Sequence, residues 1–252
     1  MTRSKGVGRA MRRGLVLAFA FMTRIPMPRL KDFSPDELDH SAVYFPLVGT
    51  VIGAVVALPL YTLHGRPWFA AWLSLLIWVW MTGALHLDGL GDVADAFGAA
   101  HRNPDRFFEV LKDPHTGLFG VVAVSMQLVT KLVLLGQLSD NHVAWGIVLT
   151  PAWARWLTIL CSRTIPQLPA SSGERFTWPI SWISILGWAI VLTAFASWLA
   201  PSTLVTLPLT LLVTLYWRRR LGGISGDGFG ATIEVVESLL LCTLVLARGG
   251  LT

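Results

Sequence analysis

The chain has 252 residues, of which 54% are hydrophobic and only 14% charged, and its mean hydropathy is +0.60. Soluble domains carry about a quarter charged residues, so this composition excludes a soluble globular protein and points to a helical membrane protein. The net charge of +5 does not mark a nucleic-acid binder, because the basic residues lie in short segments between apolar runs and not in one patch.

In chain order, Arg3, Lys5, Arg9, Arg12 and Arg13 precede a short apolar stretch, 14–22. The outline is that of a signal peptide, but Arg24, Pro26 and Pro28 follow where a small-residue cleavage site would stand. The stretch reads as a retained interfacial or half-inserted helix. Apolar runs near the roughly 20 residues that cross a bilayer then occupy 44–63, 67–85, 118–138, 143–161, 180–199, 203–216 and 233–247, the sixth being short. The expected fold is all-α, a polytopic integral membrane bundle of about seven transmembrane helices plus the N-terminal helix, in a single domain over 1–252. Within it, 1–43 forms a basic N-terminal segment, 86–117 an acidic loop and 218–231 a Gly-rich loop. Cys161 and Cys242 each fall inside an apolar run, which supports neither a disulfide framework nor a zinc site.

Sixteen of the twenty Lys and Arg residues sit in the N-terminal segment through Lys31 and in the connections holding Arg102, Arg106, Lys112, Arg163, Arg175 and Arg218 to Arg220. The positive-inside bias makes those connections cytoplasmic. Of fifteen Asp and Glu, only Asp140 falls on the other side. Acidic residues do not set orientation, so their segregation independently places the chemistry on the cytoplasmic face of the membrane.

The chemistry centres on His86-Leu-Asp-Gly-Leu-Gly-Asp-Val-Ala-Asp95, where an apolar run ends. Spacings of four and three put Asp88, Asp92 and Asp95 on one side of a helix. Clustered carboxylates repel one another, and a divalent cation among them relieves that repulsion. Lys112-Asp113-Pro-His-Thr-Gly117-Leu-Phe-Gly120 adds Asp113, a fourth carboxylate able to close a metal site, and Lys112, able to face a phosphate. A third cluster is Arg218-Arg-Arg220-Leu-Gly-Gly223-Ile-Ser-Gly-Asp227-Gly-Phe-Gly230. Its Gly222, Gly223 and Gly226 let backbone approach a ligand and leave N–H groups free for phosphate oxygens, just before a helix N-terminus. The arginines serve as a topology anchor or a substrate clamp. Glu234 and Glu237, one turn apart at the mouth of an apolar helix, must be paired or bound to a metal. Arg155, flanked by Trp153 and Trp156 in mid-span, partners a buried acid or contacts substrate. Oxygen donors without a thiolate or a His pair select Mg²⁺ or Mn²⁺. The whole is equipment for phosphoryl transfer at a bilayer surface.

The order Thr23-Arg-Ile-Pro26, Tyr44-Phe-Pro-Leu-Val-Gly49, the aspartate run, Lys112-Asp113 with Gly117 and Gly120, and Leu221-Gly-Gly-Ile-Ser-Gly-Asp227 resembles the cobalamin synthase (adenosylcobinamide-GDP ribazoletransferase) family over nearly the whole chain. The resemblance implies an enzyme of the cytoplasmic membrane that joins adenosylcobinamide-GDP to α-ribazole or its 5′-phosphate with Mg²⁺ and releases GMP. By the same resemblance, Asp88, Asp92, Asp95 and Asp113 are catalytic and hold one or two Mg²⁺, with Asp227, Glu234 and Glu237 as further acidic candidates. His86, Lys112, Arg24 and the 222–228 loop would contact substrate. A homo-oligomer is compatible with this reading. The chain is also similar to the CDP-alcohol phosphotransferases, but Gly91-Asp92 stands where their Ala-Arg would be. A cation-coupled transporter would place its ligands near the bilayer midplane in two related halves, and no internal repeat is visible.

The orientation is testable with single cysteines in a cysteine-free background. Asn103→Cys, Ser171→Cys and Ser225→Cys resist an impermeant thiol reagent in intact cells and react after lysis, while Asn141→Cys labels from outside. Labelling of Asn103→Cys in intact cells reverses the topology.

Overall fold

The computed structural model describes residues 2–30, 34, 37, 40–63, 65–100, 106–139, 144–168 and 178–249. Arg102, Asp140, Arg175 and the labelling positions 103, 141 and 171 lie outside the described residues. The helices are α1 (Thr2–Met22), α2 (Phe45–Thr62), α3 (Pro67–Thr82), α4 (Leu85–Ala100), α5 (Arg106–Val110), α6 (Leu118–Gln137), α7 (Ala144–Thr164), α8 (Trp182–Leu199), α9 (Thr206–Leu221) and α10 (Gly226–Gly249). Short 3₁₀ turns occupy Ala42–Tyr44 and Pro201–Val205. Apart from one bridge between Gln167 and Ile224, the described residues contain no β pairing.

The fold is that of an all-α polytopic membrane protein. Four segments are long and apolar enough to cross a bilayer, Ala42–Thr62, Leu118–Gln137, Trp182–Leu199 and Gly226–Ala247. The pair α3 and α4 makes a fifth when counted as one broken span. The other two expected spans are helical as well, but α7 carries Arg155 at its centre and α9 has only 16 residues and ends in three arginines. Only 17% of the apolar windows of α6 and α8 is buried, so both present Leu, Val and Phe side chains to lipid, as expected of peripheral helices in a bundle.

The centre is α7, whose Trp153, Ala154, Arg155, Trp156 and Leu157 are all buried. On one side it meets α2 at Gly49 and Gly53. A Cβ on Gly49 would lie 2.6 Å from the Pro151 carbonyl carbon, and one on Gly53 2.7 Å from Val148 Cα. This small-xxx-small spacing lets two backbones approach where no hydrophobic force separates helices from lipid. On its other side α7 meets α10.

The second expected span does not run straight into the aspartates. At its end Gly83 (φ +62°) and Ala84 (φ +61°) both adopt left-handed backbone, α3 stops at Thr82, and α4 leaves at 85°. The expected acidic loop 86–117 is therefore helical through Ala100. Similarly, α10 begins at Gly226 and not at 233, because Ser225 Oγ accepts the Gly228 N–H (3.1 Å) and starts the helix within the Gly-rich segment. Ser225 is buried, so a probe placed there reads occlusion as well as side.

Between α6, α7 and α10 lies a buried polar network. Lys131 Nζ donates to Glu234 Oε2 (2.7 Å) and Glu237 Oε2 (2.6 Å), and Arg155 Nη1 donates to Glu237 Oε1 (2.7 Å). Gln127, one turn from Lys131, donates to Glu234 Oε2 (2.9 Å), to its backbone carbonyl (2.7 Å) and to Ser238 Oγ (2.9 Å). Lys131 also lies 4.3 Å from the centre of the Trp78 ring. Two carboxylates and two cations make a neutral set, the condition under which charges survive in a low-dielectric interior. Removing one partner leaves a buried charge uncompensated, so Glu237→Ala is expected to cost about 3–5 kcal/mol. A denaturant midpoint in detergent equal to that of the unaltered protein would rule out this structural role.

Candidate active site

The bend delivers α4 against the start of α10. A Cβ on Gly89 would stand 2.8 Å from the Asp227 carbonyl oxygen, and one on Gly230 would stand 3.4 Å from Gly89 Cα. This glycine-to-glycine crossing brings acids from two helices together. The charges that act on Asp92 are those of Asp88, Asp227 and Asp95. Asp88 is exposed, Asp92 and Asp227 are partly buried, and Asp95 is buried.

Asp95 is already engaged. Its Oδ2 accepts the Gly117 N–H (2.7 Å) and its Oδ1 the Gly120 N–H (2.9 Å), so it caps the N-terminus of α6 from a helix 22 residues upstream. Helix N-termini carry unpaired N–H groups and a positive dipole end, and a carboxylate satisfies both. Gly117 and Gly120 are glycine because a Cβ on either would run into the Asp95 carboxylate. The pairing of the aspartate run with these two glycines is thus a structural contact. Among the described residues no group of three or more His, Cys, Asp or Glu side chains is placed to hold a metal ion by itself.

A cleft of about 150 Å³ opens beside the acids. It is lined by Phe21 and Met22 of α1, Leu85, His86, Asp88 and Gly89 of α4, Thr158 of α7, Trp178, and Gly226, Asp227, Phe229, Gly230 and Ile233 of α10. His86 is buried, and its Nδ1 has no hydrogen-bond partner among the described residues. Both α4 and α10 begin at this cleft, so two helix N-termini offer backbone N–H groups to an anion. Trp178 packs its ring against Phe229, with centroids 5.2 Å apart, and edge-on to Phe45 at 5.0 Å. These apolar walls give no sequence signal distinguishing them from ordinary core.

The remaining candidates are placed elsewhere. Glu234 and Glu237, expected as metal ligands, are corrected to the buried network, where Lys131 and Arg155 hold their oxygens. Arg155 accordingly partners a buried acid. Gly222 (φ +71°) caps the end of α9, its N–H bonded to the Arg218 carbonyl (3.1 Å). At Gly223 a Cβ would lie 2.6 Å from the Pro166 carbonyl oxygen. Both glycines shape the turn between α9 and α10 and stand outside the lining of the cleft, whereas Gly226 and Asp227 reach it. Lys112 and Asp113 occupy an exposed turn after α5 and do not line the cleft. Asp113 bonds His115 Nδ1 (2.6 Å), which holds its carboxyl below the usual carboxylate range. Arg24 braces the bend, its N–H bonded to the Met81 carbonyl (2.7 Å), with Gly83 leaving room for its side chain.

The family model described as cobalamin-5-phosphate synthase matches residues 14–245 of the chain. The chain belongs to that family. Relatives named adenosylcobinamide-GDP ribazoletransferase include those of Laribacter hongkongensis, 47% identical over 93% of this chain and 97% of the relative, and of Thiobacillus denitrificans, 45% identical over 94% and 98%. The relative from Novosphingobium aromaticivorans is 43% identical over 93% and 96%. No solved structure matches the chain significantly. The family's cobalamin-forming chemistry thus falls to a membrane bundle whose acids meet where α4 crosses α10.

The two kinds of aspartate separate by stability. Asp95→Asn presents an amide N–H to one of two backbone donors and is expected to cost about 1–3 kcal/mol, read as a lowered unfolding midpoint in detergent. Asp88→Asn, at the exposed end, leaves the midpoint unchanged. Equal midpoints for both variants would refute the capping role.

Proposed function

We propose that the chain carries out the ribazole transfer for which its relatives are named, in the cytoplasmic (inner) membrane with its cleft open to the cytoplasm. Adenosylcobinamide-GDP is the donor, and α-ribazole or its 5′-phosphate is the acceptor. The observation that carries this reading is the meeting of Asp88 and Asp92 of α4 with Asp227 of α10 beside a cleft bounded by two helix N-termini. In the reaction, a ribose hydroxyl of the acceptor attacks the phosphorus next to the cobinamide aminopropanol. A new P–O bond forms, the bond to the bridging oxygen of the diphosphate breaks, that oxygen departs with GMP, and the hydroxyl proton is lost.

The donor set fits Mg²⁺, which is held by one or two carboxylates together with substrate phosphates more often than by an all-protein cage. One or two of Asp88, Asp92 and Asp227 would hold it together with substrate phosphates, and when bound it supplies Lewis-acid polarisation and charge neutralisation at the diphosphate. The protein's own groups position the substrates. The N–H at the start of α10, at Gly226, donates to a phosphate oxygen. The unpaired Nδ1 of buried His86 lies in the cleft wall and bonds a substrate polar group. Trp178, Phe229 and Phe21 exclude water from the reacting atoms. Asp95 keeps α4 and α6 in register, so that its neighbours on the same helix face keep their places.

The test is GMP release by purified protein. GMP appears only when adenosylcobinamide-GDP, an α-ribazole acceptor and Mg²⁺ are supplied together. Asp92→Asn lowers the rate by on the order of 10²-fold or more without loss of folding. CMP release from CDP-diacylglycerol with an alcohol acceptor, and silence toward the corrinoid pair, would overturn the assignment.

A further inference from the structure

A second cavity, unrelated to the cleft, lies on the opposite side of the two catalytic helices. It is an almost wholly apolar groove of about 480 Å³ between α4, α9 and α10. On α4 it is lined by Leu90, Val93, Ala94 and Phe97. These positions face away from Asp88, Asp92 and Asp95 at 100° per residue. From α9 it takes Leu209, Val213, Tyr216 and Trp217 among others. The groove is therefore continuous with the back of the surface that carries the chemistry.

One end of the groove is marked chemically. Tyr216 and Trp217 line it, and Arg218, Arg219 and Arg220 follow immediately, all three exposed and without a carboxylate partner among the described residues. The Arg220 guanidinium lies over the ring of Phe97, itself a lining residue, at 5.3 Å. An apolar trough, an aromatic pair at its end and then a cluster of cations form the sequence of environments that an anionic phospholipid presents in reverse. A second copy of this chain, with net charge +5, would add positive charge against the same arginines.

The geometry points to a binding site for one anionic phospholipid, an acyl chain lying in the groove between α4, α9 and α10 and the headgroup phosphate on Arg218 and Arg220. The lipid fills space that α9 leaves open against the α4–α10 pair, where one direct polar tie is Trp217 Nε1 to Thr232 Oγ1 (2.9 Å). It thereby supports from behind the crossing that assembles Asp88, Asp92 and Asp227.

Full-length protein is reconstituted in nanodiscs of phosphatidylglycerol and phosphatidylcholine, and retained lipid is counted by native mass spectrometry after release. The protein is expected to keep one phospholipid, phosphatidylglycerol over phosphatidylcholine by roughly tenfold or more. Arg218→Gln with Arg220→Gln, both on the surface, abolishes the preference, and Val213→Trp, which fills the groove, abolishes retention. Equal retention of the two lipids by the unaltered protein overturns the site, as does a preference that survives the arginine changes. A protein dimer in place of bound lipid overturns it too. If Val213→Trp does not fold, the arginine pair alone decides.

Discussion

Charge neutrality in a dry interior is the constraint on which this structure depends. Glu237 is held by Arg155 on one oxygen and Lys131 on the other, while Glu234 shares Lys131 and receives Gln127. Each group alone would be prohibitively costly at this depth, and together they join α6, α7 and α10 more specifically than lipid-like side chains could. Apolar contact cannot choose among helix rotations when the surroundings are equally apolar. Three ion pairs and the Gln127 hydrogen bond can, because only one rotation of each helix satisfies all of them.

With α10 so oriented, Glu234 and Glu237 point inward, and Asp227, two turns earlier, stands at the cleft. A second constraint fixes α4. Asp95 ties it to the start of α6, and glycines at 89 and 230 let it lie against α10 at near-backbone distance. The acids of this protein therefore divide by what neutralises them. Those paired with Lys, Arg or backbone N–H groups hold the scaffold. Asp88, Asp92 and Asp227 stand together at the crossing of α4 and α10, and neither a Lys nor an Arg pairs with them among the described residues.

The bend at Gly83 and Ala84 connects membrane and chemistry. A straight helix from Pro67 would carry the aspartates on along the same axis, away from α10. Two consecutive left-handed residues, one of them an alanine that adopts this conformation only at a cost of about 1–2 kcal/mol, turn α4 across the bundle. Such local strain persists because the surrounding contacts over-determine it, here the Arg24 side chain against Gly83 and its N–H on the Met81 carbonyl.

The membrane class, the all-α fold, the apolar stretches and the family were legible in composition, periodicity and motif, because these depend on residue type and spacing along one helix. The spacing of Asp88, Asp92 and Asp95 correctly placed them on one face, and the Gly117 and Gly120 motif was visible without its meaning. What spacing cannot state is which partner a side chain meets. Glu234 and Glu237 look like metal ligands until Lys131 and Arg155 arrive from helices 103 and 82 residues away in sequence. Gly222 and Gly223 look like a phosphate loop until the first is seen to end α9 in left-handed backbone and the second to pack on the Pro166 carbonyl. The helix break at Gly83 and Ala84 left no mark in hydropathy, since both residues suit an apolar run. Residue chemistry along the chain determined what this protein is made to handle, and only the three-dimensional pairing of distant charges decided which of its acids are free to handle it.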